Sequence, residues 1–284
     1  MSEQDQLLGP LAPAPRKMLI KGATIISMDG NVGNVPKGDI LMADGVIAAI
    51  GQNLQADGAE VIDAAQMIAI PGMVDTHRHS WEGQLRRINP NAATLEDYCN
   101  ATHFSFAKYY RPRDIYVGNL LTALGAIDAG ITTVIDNSHN SRTGAHADAA
   151  VEALLDTGIR AVHASGAPVS GDWDKAHWPG NLARLQAKYF TNPDSLVTLA
   201  MMAQLEPQQW AVARKLGIPI VTEFLALAWR PSWKACTGRG CSAATTSSTT
   251  ALVCRNRAGA SCARQACASM YARVRMPTTA SRMA

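Results

Sequence analysis

The stretch Val74-Asp75-Thr76-His77-Arg78-His79-Ser80-Trp81 places two histidines one residue apart, after an apolar run and the pair Pro71-Gly72. On a strand, residues i and i+2 leave from one face. His77 and His79 can therefore project together while Arg78 projects away. Neutral imidazoles suit Zn, Fe, Ni and related divalent ions, and a catalytic ion keeps one position open for water. A pair of histidines in a polar loop is the plainer reading of the same residues. Further candidates end later strands. Asp136 and His139 in "VIDNSH" could line a pocket or cap the next helix. Glu223 ends "IPIVTEF". His163 lies mid-strand in "RAVHASG", where it could face inward, and His103, His146 and His177 read as surface or helix histidines.

These groups need a scaffold. Residues 18–70 alternate short apolar runs with turns: "KMLIKGATIISM" is strand-like, "DGNVGNVPKGD" a turn region, and "ILMADGVIAAIG" strand, Asp-Gly turn, strand. Strands joined by Asp-Gly predict a small antiparallel layer. After "DTHRHS" the rhythm becomes helix–strand. "PRDIYVGNLLTALGAIDAG", "HADAAVEALLDTG" and "EPQQWAVARKLG" have helical spacing; "ITTVIDNS", "IRAVHASG", "NPDSLVTLAMMAQL" and "IPIVTEFLALA" hold the strands. Continuous apolar strands alternating with helices predict a parallel sheet covered by helices, an open doubly wound sheet or a barrel. No Gly-rich phosphate loop follows a strand, which argues against a nucleotide-binding sheet.

Composition bounds the class. The 284 residues suffice for one large domain or two modest ones. No apolar run approaches the roughly 20 residues of a spanning helix. The start, "MSEQDQLLGPLAPAPRK", reads as a flexible leader (1–17) without a secretory signal, so the cytoplasm is the expected compartment. The net charge of +3 hides an asymmetry. From Trp229 onward there are Lys234, eight arginines and no acid, so the last 56 residues carry +9 and the first 228 carry −6. Five of the six cysteines also lie there: Cys236, Cys241, Cys254, Cys262 and Cys267.

A small N-terminal sheet, then "IPGMVDTHRHSW", then βα units resembles the amidohydrolase superfamily, in particular its cytosine-deaminase and triazine-hydrolase-like branch. "GAIDAGITTVIDNSH" and "ALLDTGIRAVHASG" resemble that branch's second and third barrel strands. The resemblance covers residues 18 to about 228. It implies an α/β fold, the N-terminal half of a (β/α)8 barrel (71–228), with a small β-sandwich at 18–70. It also implies a divalent metal ion, Zn or Fe, held by His77 and His79 together with histidines ending strands 5 and 6 and an aspartate ending strand 8. Such an ion lowers the pKa of bound water, and sites of such barrels lie at the C-terminal ends of strands. Glu223 falls where the family has its strand 5 His; it could be a ligand, an acid/base group alongside Asp136, or an acid that binds nothing. Trp81, Arg86 and Arg87 follow strand 1, and Trp81 and His139 are the candidates for substrate contact. The expected partner is a small molecule, with no nucleic acid and no membrane; the full-length parent could be a homo-oligomer.

Residues 229–284 show no helical period and no strand alternation, and their cysteines fit no zinc spacing. A disordered basic tail, a Cys-rich metal module and an out-of-frame translation compete. Back-translated with GC-rich codons and read from each codon's last base, the tail contains "DNIFNHCTG" and "VRVNVCPRSD", which resemble the family's strands 6 and 7. The expectation is therefore a frame change near Trp229. Five of eight strands cannot close a barrel. The parent is expected to hydrolyse C–N bonds, or another leaving group such as C–Cl. The alternative is a remnant that binds a ligand without activating water.

Overall fold

The computed structural model describes residues 17–88, 92–175, 177–203, 207–224, 243–245 and 250–254. Two compact units divide between Pro71 and Gly72.

The first unit is one sheet in the order β3-β2-β1-β4, with β5 also on β1. Its strands are β1 (Lys17–Ile26), β2 (Asn34–Ala43), β3 (Val46–Gly51), β4 (Glu60–Asp63) and β5 (Ile68–Ala69). The β2–β3 hairpin turns on Asp44 and Gly45, both at positive φ (50° and 77°), the conformation that an Asp-Gly turn supplies. Two expectations change. The stretch read as a turn region gives β2 from Asn34, because the β1–β2 ladder runs out to Ile26 opposite Asn34. Pro36 fits there because the register shifts between Ala23 and Ile25, and a proline is tolerated where the ladder is irregular. The sheet is mixed, since β4 and β5 pair parallel to β1. Ala23, Ile25, Ile40 and Ala64 form its core. A second sandwich layer is not present among the described residues.

The second unit holds five parallel strands in chain order: β6 (Met73–Arg78), β7 (Ile131–Ser138), β8 (Arg160–Ser165), β9 (Val197–Met202) and β10 (Ile220–Phe224). Between them run α1 (Leu95–Ala101), α2 (Pro112–Asp128), α3 (Gly144–Thr157), α4 (Asn181–Tyr189) and α5 (Pro207–Leu216). The two faces of the sheet are distinguished by their packing. Val134, Ala161 and Val197 pack with Ala123, Ala126 and Leu154 of α2 and α3. Leu199, Met201 and Ile220 pack with Leu182, Leu185 and Ala213 of α4 and α5. Ile135, Ala164, Ala200, Met202 and Val221 form a separate cluster on the opposite, inner face. This curled sheet with its helices fits part of a (β/α)8 barrel. In the region expected to lack regular structure, β11 (Ala243–Thr245) and β12 (Thr250–Cys254) form two short strands; β12 runs antiparallel along β10. The edge of β10 offers unpaired backbone groups, and any extended segment can satisfy them.

Candidate metal centre

The direction of His77 is set by an irregularity in the ladder. Asp75 stands opposite Val134 and Arg78 opposite Asp136, so β6 carries one residue more than β7 over this interval. Val134 faces the helices. In strict alternation Asp75 and His77 would both face that way. The extra residue reverses the phase, a known effect of bulges. Asp75 and Arg78 then share the helix side, joined by Arg78 Nη2–Asp75 Oδ2 at 2.5 Å, and His77 and His79 turn to the inner face. Their ring centroids are 5.0 Å apart and nearly perpendicular.

His79 Nδ1 lies 2.9 Å from the carbonyl oxygen of Asn137 and 2.8 Å from His139 Nε2. A carbonyl can only accept, so Nδ1 of His79 carries the proton and its lone pair is on Nε2. His139 then accepts at Nε2, and its Nδ1 is buried without a hydrogen-bond partner. Burial lowers the pKa of His77 and holds that of His79 at about 4. Both rings are neutral at pH 7, the form that ligates metal.

A divalent ion fits this donor set. A metal-binding imidazole characteristically gives its other ring N–H to a carbonyl or carboxylate, which is the arrangement at His79. Among the described residues no group of three His, Cys, Asp or Glu surrounds a common point.

The other candidates lie as follows. His139 is buried, 4.3 Å from the ring of His79. Trp81, read as a substrate contact, is 0% exposed and packs with Ala107, Ile115, Ala149 and Ala150; it is a core side chain. Asp136, read as an acid/base group, has no exposure and stands in register with His163. Both occur at the phase of Val134 and Ala161, so His163 faces the helices rather than the interior. Glu223 lies in β10, and its side chain falls outside the described residues. Arg86 and Arg87 lie beyond the 3-10 turn Ser80–Leu85.

Several residues were missed. His103 is not a surface residue: it is 4% exposed, with its ring 4.7 Å from His139 and 6.5 Å from His79. It sits on a π-helical turn, Thr102–Phe106, that continues α1. Tyr98 on α1 and Glu82 adjoin it, with His103 Nε2 3.9 Å from Glu82 Oε1. The signal for α1 was present as Thr94-x-x-Asp97, which forms a reciprocal capping box. Asn137 was also passed over. Its position is at the inner-face phase, and both its amide atoms are buried without partners.

No protein-family model matches the chain. The 5-methylthioadenosine/S-adenosylhomocysteine deaminase of Caldicellulosiruptor saccharolyticus is 32% identical over 154 residues, which are 52% of this chain and 34% of that protein. The 5'-deoxyadenosine deaminase of Methanosarcina acetivorans is 29% identical over 119 residues, 42% of this chain and 27% of that one. The chain thus spans about a third of the length of the curated relatives it matches. Among solved structures, a triazine hydrolase variant superposes with a TM-score of 0.64 at 23% identity, covering 72% of this chain and 52% of its own. Guanine deaminase of C. acetobutylicum gives 0.59 at 18% identity, covering 77% and 57%. Atrazine chlorohydrolase of Arthrobacter aurescens TC1, solved with zinc, gives 0.63 at 23%, covering 72% and 52%. The relatives are deaminases and hydrolases by name, and this chain is similar to them over part of their length.

Proposed function

We propose that this chain derives from a metal-dependent hydrolase of non-peptide C–N bonds, of the amidohydrolase and deaminase type, acting on a small molecule. The observation that carries the reading is the His79 Nδ1–Asn137 carbonyl contact beside His77, which fixes the tautomer a metal ligand requires. A bound Zn or Fe ion would supply a hydroxide at neutral pH and polarise the group attacked. His77 and His79 would hold it. His139 and Asn137 would line the adjoining wall, with Glu223 and Asp136 as the acidic groups of the region. The names of the relatives favour an aminated heterocycle or nucleoside as substrate, and that of the atrazine chlorohydrolase keeps a C–Cl leaving group as the second reading.

The frame change belongs to the same proposal. A continuous gene would supply the remaining strands, the strand 6 His and the strand 8 Asp, and a second layer for the N-terminal sandwich; the chain as written would be impaired. No helix among the described residues is long and apolar enough to cross a membrane; a cytoplasmic location and a homo-oligomeric full-length parent are parts of the same proposal.

The test is to sequence the gene around codons 225–232, repair the frame, and measure metal content and hydrolysis of amino-heterocycles. Metal uptake lost in His77→Ala and His79→Ala, with deamination restored in the repaired protein, is the expected result. A repaired protein that binds ligand but neither metal nor water-consuming turnover supports the binding remnant instead. A shifted frame full of stop codons removes the frame-change account.

A further inference from the structure

Asp136 stands in register with Arg78, between the two histidines, yet its side chain lies at the helix-facing phase of β7. Its two oxygens have distinct partners. Oδ1 accepts the backbone N–H of Ser80 at 3.1 Å, and Oδ2 lies 2.9 Å from His163 Nδ1. Asp136 and His163 are register partners on neighbouring parallel strands and both have no exposure. Such partners stand about 4.8 Å apart with side chains on one face, so this contact is built into the ladder. Nδ1 of His163 donates to the carboxylate, and its Nε2 is buried without a partner.

The Ser80 contact is the consequential one. Ser80 follows His79 directly and begins the 3-10 turn. The turn is held from its other side by Thr122 Oγ1, which donates to the Ser80 carbonyl at 2.9 Å. The His79–Ser80 peptide is held at both ends, its N–H on Asp136 of β7 and its His79 carbonyl by the N–H of Glu82 at 3.0 Å. The next peptide is held by Thr122 of α2, so the backbone after His79 has one orientation. That orientation aims the His79 ring at the Asn137 carbonyl, the residue next to Asp136.

We propose that Asp136, braced by His163, is a positioning residue that fixes the tautomer and direction of the His79 ring by holding the Ser80 N–H. The role rests on the reading of His79 as a metal ligand. Its distinguishing feature is that a backbone donor carries it, and Ser80 allows this to be isolated. The Ser80 hydroxyl is buried without a partner, so Ser80→Ala keeps the N–H and loses little. Ser80→Pro removes only the N–H. The first position of a helical turn accepts proline, and His79 at φ −96° and ψ 83° is outside the helical region that a following proline disfavours.

The experiment uses the full chain without metal, with the His79 ring nitrogens read by nitrogen-15 NMR, and then a Co2+ titration followed by absorbance. The wild type and Ser80→Ala should hold His79 in the single Nδ1–H tautomer; Ser80→Pro and Asp136→Ala, which remove the donor and the acceptor of the contact, should show a tautomer mixture. Their Co2+ affinity should fall 10- to 100-fold, the range for groups that orient a ligand, while Ser80→Ala stays within twofold. Retention of one tautomer in Ser80→Pro overturns the proposal, as does an equal change in Ser80→Ala. If Asp136→Ala fails to fold, the Ser80 pair still decides. If the wild type takes up no Co2+, the metal reading fails, and the tautomer measurement still decides the positioning role.

Discussion

Tyr98 donates its hydroxyl proton to Glu82 Oε1 at 2.5 Å, tying α1 to the turn that follows His79. Burial raises the Glu82 carboxyl to about 7, against a smaller opposing effect of the Tyr98 hydrogen bond, which favours the ionised form. The folded state therefore holds a proton on Glu82 that the unfolded chain has already released above its ordinary value of 4.5. Stability falls as pH rises from about 4.5 through about 7. Glu82→Gln keeps an acceptor for Tyr98 and cannot ionise. Its melting temperature should match or trail the wild type at pH 4.5 and exceed it at pH 8. A difference that is flat with pH would mean Glu82 is ionised throughout.

Gly118 and Gly125 lie seven residues apart on α2 and should respond with opposite sign to the same change. A Cβ on Gly118 would meet the Trp81 carbonyl oxygen at 2.3 Å, whereas at Gly125 nothing lies within 4 Å. Gly125→Ala should stabilise by about 0.5–1 kcal/mol, the helix-interior preference of Ala over Gly. Gly118→Ala should destabilise, because the obstructing atoms are backbone. Urea denaturation gives both values, and stabilisation at Gly118 would show that the helix and the turn are not in contact.

Trp81→Ala should cost about 3–5 kcal/mol, as for other large buried aromatics. Trp81→Phe should cost less. A loss below about 0.5 kcal/mol in Trp81→Ala, with weaker ligand binding, would return Trp81 to the pocket wall expected from sequence.

The chain should self-associate and bind hydrophobic dyes. Leu121, Leu124 and Ile127 of α2 and Met73 and Val74 of β6 are exposed apolar side chains. Residues of this size on an open parallel sheet favour association. Sedimentation velocity over a concentration series measures it; a monomer with one sharp thermal transition would contradict it.

The strands and long helices of the second unit were legible because each has an uninterrupted apolar period, and Gly158 at φ 68° ends α3 in the left-handed cap that the sequence signals. The Asp44-Gly45 turn was legible for the same kind of local reason. The helix-facing positions of Asp136 and His163 were not, because the alternating phase of β7 and β8 is set by the packing of Val134 and Ala161 on α2 and α3. The direction of His77 was not legible either, because it depends on the extra residue of β6 opposite β7. His103 was hidden because a π turn shifts it by a fraction of a helical period relative to α1. Trp81 was misread because its burial comes from Ile115, Ala149 and Ala150, which are distant in sequence.

The extra residue between Asp75 and Arg78 acts as a parity element. Substitutions along β6 leave the inward direction of His77 intact, but losing or gaining one residue between Asp75 and His77 would send its imidazole among the helices. Changes of two residues would restore the direction while altering the depth. Strand length in this segment is therefore constrained modulo two, and the pair of histidines tolerates altered neighbours far better than an altered count.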